Sequence, residues 1–142
     1  MRKRTQSREL ALKILYQSDV ARKKISQSAV DFKEMEDSPN DDIWKFTQSL
    51  ISGVEEHLKA IDAKITQYAT NWQIDRMAVI DRNILRLGFF ELNYLSDVPP
   101  KVTINEAVEL AKKYGDIESG KFVNGILDKF HKAEIVPQNK KS

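Results

Sequence analysis

The sequence predicts an all-α protein, on three grounds. Apolar residues recur three and four apart along most of the chain, as on one face of a helix. Five Gly and four Pro in 142 residues leave little punctuation for a many-stranded sheet. No run alternates apolar and polar residues between glycine turns, as a half-buried strand would. The pattern fits six or seven helices in one domain over residues 1–135, followed by a disordered basic tail over 136–142.

The first helix is expected from about Thr5 to Arg22. Leu10, Ala11, Ile14 and Leu15 form its stripe, widened by Leu12 and Tyr16. From Ile25 to Asn40 the pattern weakens. A short helix carrying Ala29, Val30, Phe32 and Met35 ends at Ser38-Pro39-Asn40. Asp41 and Asp42 favour a new start, because carboxylates suit the positive end of a helix dipole. Ile43, Phe46, Leu50, Val54, Leu58, Ile61, Ile65 and Tyr68 then keep helical spacing to about Thr70. One helix of that span would be about 40 Å long, so a bend or break is expected between Glu56 and Asp62.

Asn71 to Asp75 connects to a helix from Arg76 to Leu95. It is apolar around most of its circumference, which makes it the central one. Asp81, Arg82, Asn83 and Arg86 form its polar face. Pro99 and Pro100 break the chain after it. Thr103 and Glu106 then have the spacing of a capping box. Ile104, Ala107, Val108, Ala111 and Tyr114 follow at helical spacing, and Gly115 suits the left-handed position that closes a helix. Ser119 can cap the last helix, whose apolar face is Phe122, Val123, Ile126, Leu127 and Phe130.

Composition narrows the function. Charged residues make up 31% and hydrophobic ones 41%, an ordinary soluble balance with enough chain for a core. Cysteine is absent, which excludes disulfides, thiolate metal sites and a cysteine nucleophile, and fits a reducing cytoplasm. No apolar run approaches the roughly 20 residues that cross a membrane, and no apolar segment follows the basic start as in a secretion signal. The expected location is the cytoplasm, with no membrane partner. The net charge of +2 conceals a basic end and an acidic middle. Arg2, Lys3, Arg4 and Arg8 crowd the start, while Asp31, Glu34, Glu36, Asp37, Asp41 and Asp42 stand against Lys33 alone.

A search for catalytic groups finds none. His57 and His131 are the only histidines and stand far apart without a ligand companion at helical spacing, so no metal is expected. No phosphate-cradling glycine loop or nucleophile elbow occurs. Glu55 with Glu56, and Glu106 with Glu109, are pairs that helix surfaces carry routinely. Neither a cofactor nor enzymatic activity is expected.

That leaves binding. Flexible cations at a helix start suit phosphate oxygens, although on spacing alone Arg2, Lys3, Arg4 and Arg8 are better explained by a solvated, frayed terminus. Lys121, Phe122 and Asn124 lie near the start of the last helix. Together they supply what single-stranded RNA requires: a cation for phosphates, a flat ring for stacking and an amide for base edges. On spacing alone Phe122 is core, continuing the stripe of Ile126 and Phe130.

Four strings in order, RELALKILYQSD, DRNILRLGFFEL, KVTINEAVELAKKYG and KFVNGILDK, resemble the NusB family of bacterial transcription antitermination factors. The resemblance covers nearly the whole chain and is weakest between Ala21 and Gln48. It implies two three-helix bundles packed across each other, one from each half. It also implies binding to boxA, a short single-stranded RNA element in ribosomal RNA operon leaders, as a heterodimer with NusE, a small-subunit ribosomal protein. That assembly helps RNA polymerase resist termination. The family's arginine-rich motif corresponds to Arg2, Lys3, Arg4 and Arg8, only in part because Thr5, Gln6 and Ser7 stand where relatives often carry Arg or Ala. The Lys-Phe-Val-Asn-Gly string is intact at Lys121 to Gly125.

For the partner surface the resemblance implicates Tyr16, Asp75 and Asp81. Acidic groups suit a basic ribosomal protein. Glu118 falls where the family often places Asp, with capping or a limit on RNA affinity as its role. Leu12 and neighbouring apolar residues of the first helix could serve a homodimer of the free protein or the heterodimer. Two other functions fit less closely: an accessory module of ribosomal RNA modification or ribosome assembly, and a protein-only helical adaptor.

Overall fold

The computed structural model describes residues 2–35 and 40–140. Glu36, Asp37 and the Ser38-Pro39 break lie outside the described residues, as do Lys141 and Ser142 of the tail. All regular structure among the described residues is helical. The chain forms two compact units, Met1–His57 and Leu58–Ser142.

The first unit holds α1 (Lys3–Ala21), α2 (Ile25–Met35) and α3 (Asp41–Glu56). Ala11, Leu12, Ile14 and Leu15 of α1 are buried, as are Ile25 and Ala29 of α2 and Ile43, Leu50, Ile51 and Val54 of α3. Two hydroxyls tie α1 to α3 inside this unit. Ser7 donates to the Ile43 carbonyl at 2.7 Å, and Thr47 Oγ1 lies 3.3 Å from the Ser7 carbonyl. Ser7 and Thr47 are fully buried, so these bonds satisfy groups that water cannot reach. Helix α1 starts two residues earlier than the apolar stripe indicates, which draws Lys3 and Arg4 into its first turn. It ends at Arg22, held in the left-handed region at φ 56°. Helix α3 starts where its acids predict, and Asn40 caps it by accepting the Asp42 N–H at 2.8 Å. The expected break in the long apolar pattern falls at His57, between α3 and α4.

The second unit holds α4 (Leu58–Tyr68), a short 3-10 turn (Ile74–Arg76), α5 (Val79–Tyr94), α6 (Pro100–Tyr114) and α7 (Ser119–Phe130). Helix α5 packs against α4, α6 and α7, the central place its apolar circumference predicts. Phe89 of α5 stacks on Phe130 of α7 with centroids 4.4 Å apart, and Tyr68 of α4 meets the Phe130 edge at 5.6 Å. Gly88 permits this approach, since a Cβ there would stand 2.8 Å from Leu127 Cδ2. The polar face expected on α5 is largely turned inward. Asp81 and Asn83 are buried, and Arg86 makes a two-pronged ion pair with Asp62 of α4 at 2.9 and 3.0 Å.

A π turn (His131–Ile135) follows α7. Its Glu134 accepts from Lys64 at 2.9 Å and from the Tyr68 hydroxyl, tying the chain end to α4. That hydrogen bond, with burial, pushes the Tyr68 phenol up to about 12. Beyond it the backbone stays helical as α8 (Val136–Lys140), a segment without apolar pattern. The wide turn accommodates Pro137, which has no N–H for the ladder: the Val136 N–H reaches back to the His131 carbonyl.

Three local expectations are corrected around α6 and α7. Thr103 is not a cap. Pro100 starts α6 three residues earlier, at the position where its fixed φ and missing N–H cost nothing. Thr103 is buried within the helix, and its hydroxyl lies 3.3 Å from Glu91 Oε1. Gly115 is not left-handed, with φ −93° and ψ −167°. It is needed for space: a Cβ would stand 2.6 Å from Ser119 Cβ and 2.8 Å from the Ala111 carbonyl oxygen. Gly115→Ala is therefore expected to cost about 1–3 kcal/mol in a urea melt. A midpoint equal to wild type would show that Ser119 swings clear without loss. Finally, Asp116 rather than Ser119 closes the start of α7. Its Oδ1 accepts the Glu118 and Ser119 N–H groups at 2.9 and 3.1 Å. Ser119 Oγ accepts the Asp116 N–H at 3.0 Å in return, a reciprocal box spaced three residues apart.

Candidate nucleic-acid interface

The candidate residues form one group in each unit. In the first unit, Arg2, Lys3 and Arg4 are exposed at the start of α1. Lys3 Nζ pairs with Asp42 at 3.0 Å, and the Arg4 guanidinium lies over the Phe46 ring at 4.4 Å. Arg8 differs from them. It is 3% exposed, with its guanidinium 5.5 Å from the same ring. An arginine so placed serves the packing of α1 on α3 rather than an outward-facing arm. Tyr16 is 40% exposed further along α1.

In the second unit, the Asp116–Ser119 box positions the first turn of α7. Lys121 and Asn124 are exposed on it. Phe122 is half-buried, not core, and meets Trp72 edge to face with centroids 5.8 Å apart. These two rings, with Asp81, Asp116 and Glu118, line a cavity of about 200 Å³. The structure thus brings Phe122, Asp81 and Glu118 together. Asp75 sits exposed in the 3-10 turn, outside the cavity lining. Trp72 and Asp116 were missed by sequence reasoning. Asp116 had a usable signal, three residues before Ser119; Trp72, alone in a connection, had none.

Asp81 is the unusual group. It is 8% exposed, and its Oδ1 has no hydrogen-bond partner. Burial pushes its carboxyl above the ordinary value of 3.8 and the nearby Asp116 charge adds to this, against an opposing hydrogen bond with Ser119. Its folded form therefore holds a proton more tightly than its unfolded form. The stability from this group is fully present below 3.8 and is lost as pH rises through the folded value. Asp81→Asn keeps the shape without the charge. It is expected to raise stability at pH 7 and flatten the decline between pH 4 and 7, read by urea melts. Equal destabilisation at both pH values would show that the carboxylate's bond to Ser119 outweighs its burial.

Among the described residues no group of three or more His, Asp or Glu is placed to hold a metal ion. No described helix is long and apolar enough to cross a membrane.

The model of the NusB family matches residues 5–132. The chain is 48% identical to the transcription antitermination protein NusB of Anaeromyxobacter dehalogenans (strain 2CP-1) over 127 residues, covering 89% of each chain. It is 46% identical to that of Myxococcus xanthus over 129 residues, covering 89% of this chain and 92% of the relative. Among solved structures, T. maritima NusB superposes with a TM-score of 0.86 at 36% identity, over 98% of this chain and 97% of the other. The matching chain in a crystal structure of antitermination factors NusB and NusE in complex with dsRNA gives 0.85 at 33% identity, over 94% and 98%. With the family model spanning both units and relatives matched over nearly their whole length, this chain belongs to the NusB family.

Proposed function

We propose that the protein is an RNA-binding transcription antitermination factor that acts with NusE and without chemistry of its own. The observation that carries this is the likeness, over nearly the full length of both chains, to the chain crystallised with NusE and RNA. In this reading the pair captures a boxA-type element on nascent transcript in the cytoplasm and, docked on RNA polymerase, helps it resist termination. Arg2, Lys3 and Arg4 contact phosphates, with Lys121 and Asn124 on the outer side of α7 and Phe122 as the stacking ring. Tyr16, Asp75 and Glu118 are exposed and face the basic partner. Asp81 acts from within its cavity, where carboxylates and two rings suit a cationic side chain of that partner.

A gel shift tests this with the full chain, with and without NusE. The probes are single-stranded boxA-type RNA, a scrambled strand and a duplex. Preference for the boxA strand, strengthened by NusE, is the expected result. Tight NusE binding with no gain from RNA would make the protein a protein-only adaptor instead.

A further inference from the structure

The first turns of α1 and α3 flank a cleft of about 370 Å³. Lys3 and Arg4 line it from α1; Asp42, Lys45, Phe46 and Ser49 line it from α3. Three cations thus stand against one carboxylate. That carboxylate is engaged by Lys3 in a pair whose side chains are 58% and 72% exposed. So exposed a pair holds weakly, and an arriving phosphate can replace it at little cost. Lys45 is exposed on the α3 side. Phe46 is half-buried and carries the Arg4 guanidinium over its ring, 4.4 Å from the centroid. A planar cation held on a ring is a stacking plate for a nucleobase, and cations beside it suit the adjoining phosphates. A small anion would use the cations but not the plate, and an acidic peptide would have no use for a flat surface.

We propose that this cleft is a further step of the RNA path. Lys45 contacts a phosphate, and Phe46 acts as a positioning residue that holds the Arg4 guanidinium over its ring as a platform for one base. This rests on the reading that the basic turn of α1 meets RNA, and it extends that surface onto α3, where neither periodicity nor motif pointed.

The test is fluorescence anisotropy of the full chain with NusE and single-stranded boxA-type RNA over a salt series. Lys45→Ala is expected to lower the slope of log affinity against log salt by ~0.7, the value for one phosphate on a single strand. Lys59→Ala, an exposed lysine of α4, is the comparison and should leave the slope alone. Phe46→Leu should weaken binding about 5- to 10-fold with the slope unchanged, as for loss of one stacked base, and Phe46→Tyr should restore it. Circular dichroism melts confirm that each variant folds. Because Lys45 is exposed, the first arm stands even if Phe46→Leu does not fold.

If Arg4→Glu flattens the slope while Lys45→Ala leaves it at the wild-type value, the cleft is not on the path and the wider RNA reading survives. If Phe46→Leu folds and binds as wild type, the stacking role is overturned. If the wild-type pair shows no preference for boxA over a scrambled strand, the functional reading fails, and the cleft with it.

Discussion

Phe89→Ala is expected to remove about 3–5 kcal/mol of stability, the usual cost of deleting a buried ring. Phe89 is 1% exposed, and its stacked partner Phe130 is equally enclosed. The pair joins α5 to α7, with Tyr68 of α4 against both rings. Phe89→Leu keeps most of the volume and should cost about 1 kcal/mol. The double change with Phe130→Ala should fall short of the two single costs added, by about 0.5–1.5 kcal/mol for the ring pair. Urea melts measure all four variants, the single Phe130→Ala included. A loss under about 1 kcal/mol for Phe89→Ala would mean that the stack between α5 and α7 is not the anchor of this unit.

Converting Arg2, Lys3 and Arg4 together to Glu is expected to lower the salt slope of RNA binding by about 2, from three phosphate contacts at ~0.7 each. Affinity at low salt should fall at least 100-fold. The structure sets Arg8 apart from this group. Buried against Phe46, Arg8 should answer to substitution by losing stability, not by a change in salt dependence. Filter binding over a salt series separates the two. A triple variant with the wild-type slope would remove the start of α1 from the RNA surface.

What the sequence made legible was what depends on periodicity. The apolar stripes placed α1, α3, α4, α5, α6 and α7, and the excessive length of one stripe called for a break between Glu56 and Asp62, which falls at His57. The burial of α5 followed from its apolar circumference. The cap at Thr103 failed because a capping box and a buried threonine share the same spacing. Only the position of Pro100 decides between them, by starting α6 a turn earlier. Gly115 failed for a similar reason: glycine serves both left-handed turns and close approaches, and here Ser119 and Ala111 crowd it.

The candidate site was legible in part. Phe122 lay on a core stripe by spacing, yet the end of that stripe opens on a cavity beside Trp72, a residue from a connection some fifty positions earlier. Asp81 looked like an ordinary polar residue on a helix face. Its burial comes from α7 packing over α5, a contact no local pattern announces.

The division at His57 has a consequence for synthesis. The cores and polar ties of the first unit, Ser7 with Ile43 and Ser26 with Glu55 among them, close within residues 1–57. A nascent chain carries everything these ties require once α3 has left the exit tunnel, before the second unit has been completed. Domains generally form in this N-to-C order during elongation. The basic turn of α1 would then be displayed on a structured surface while the ribosome is still reading the message for α7.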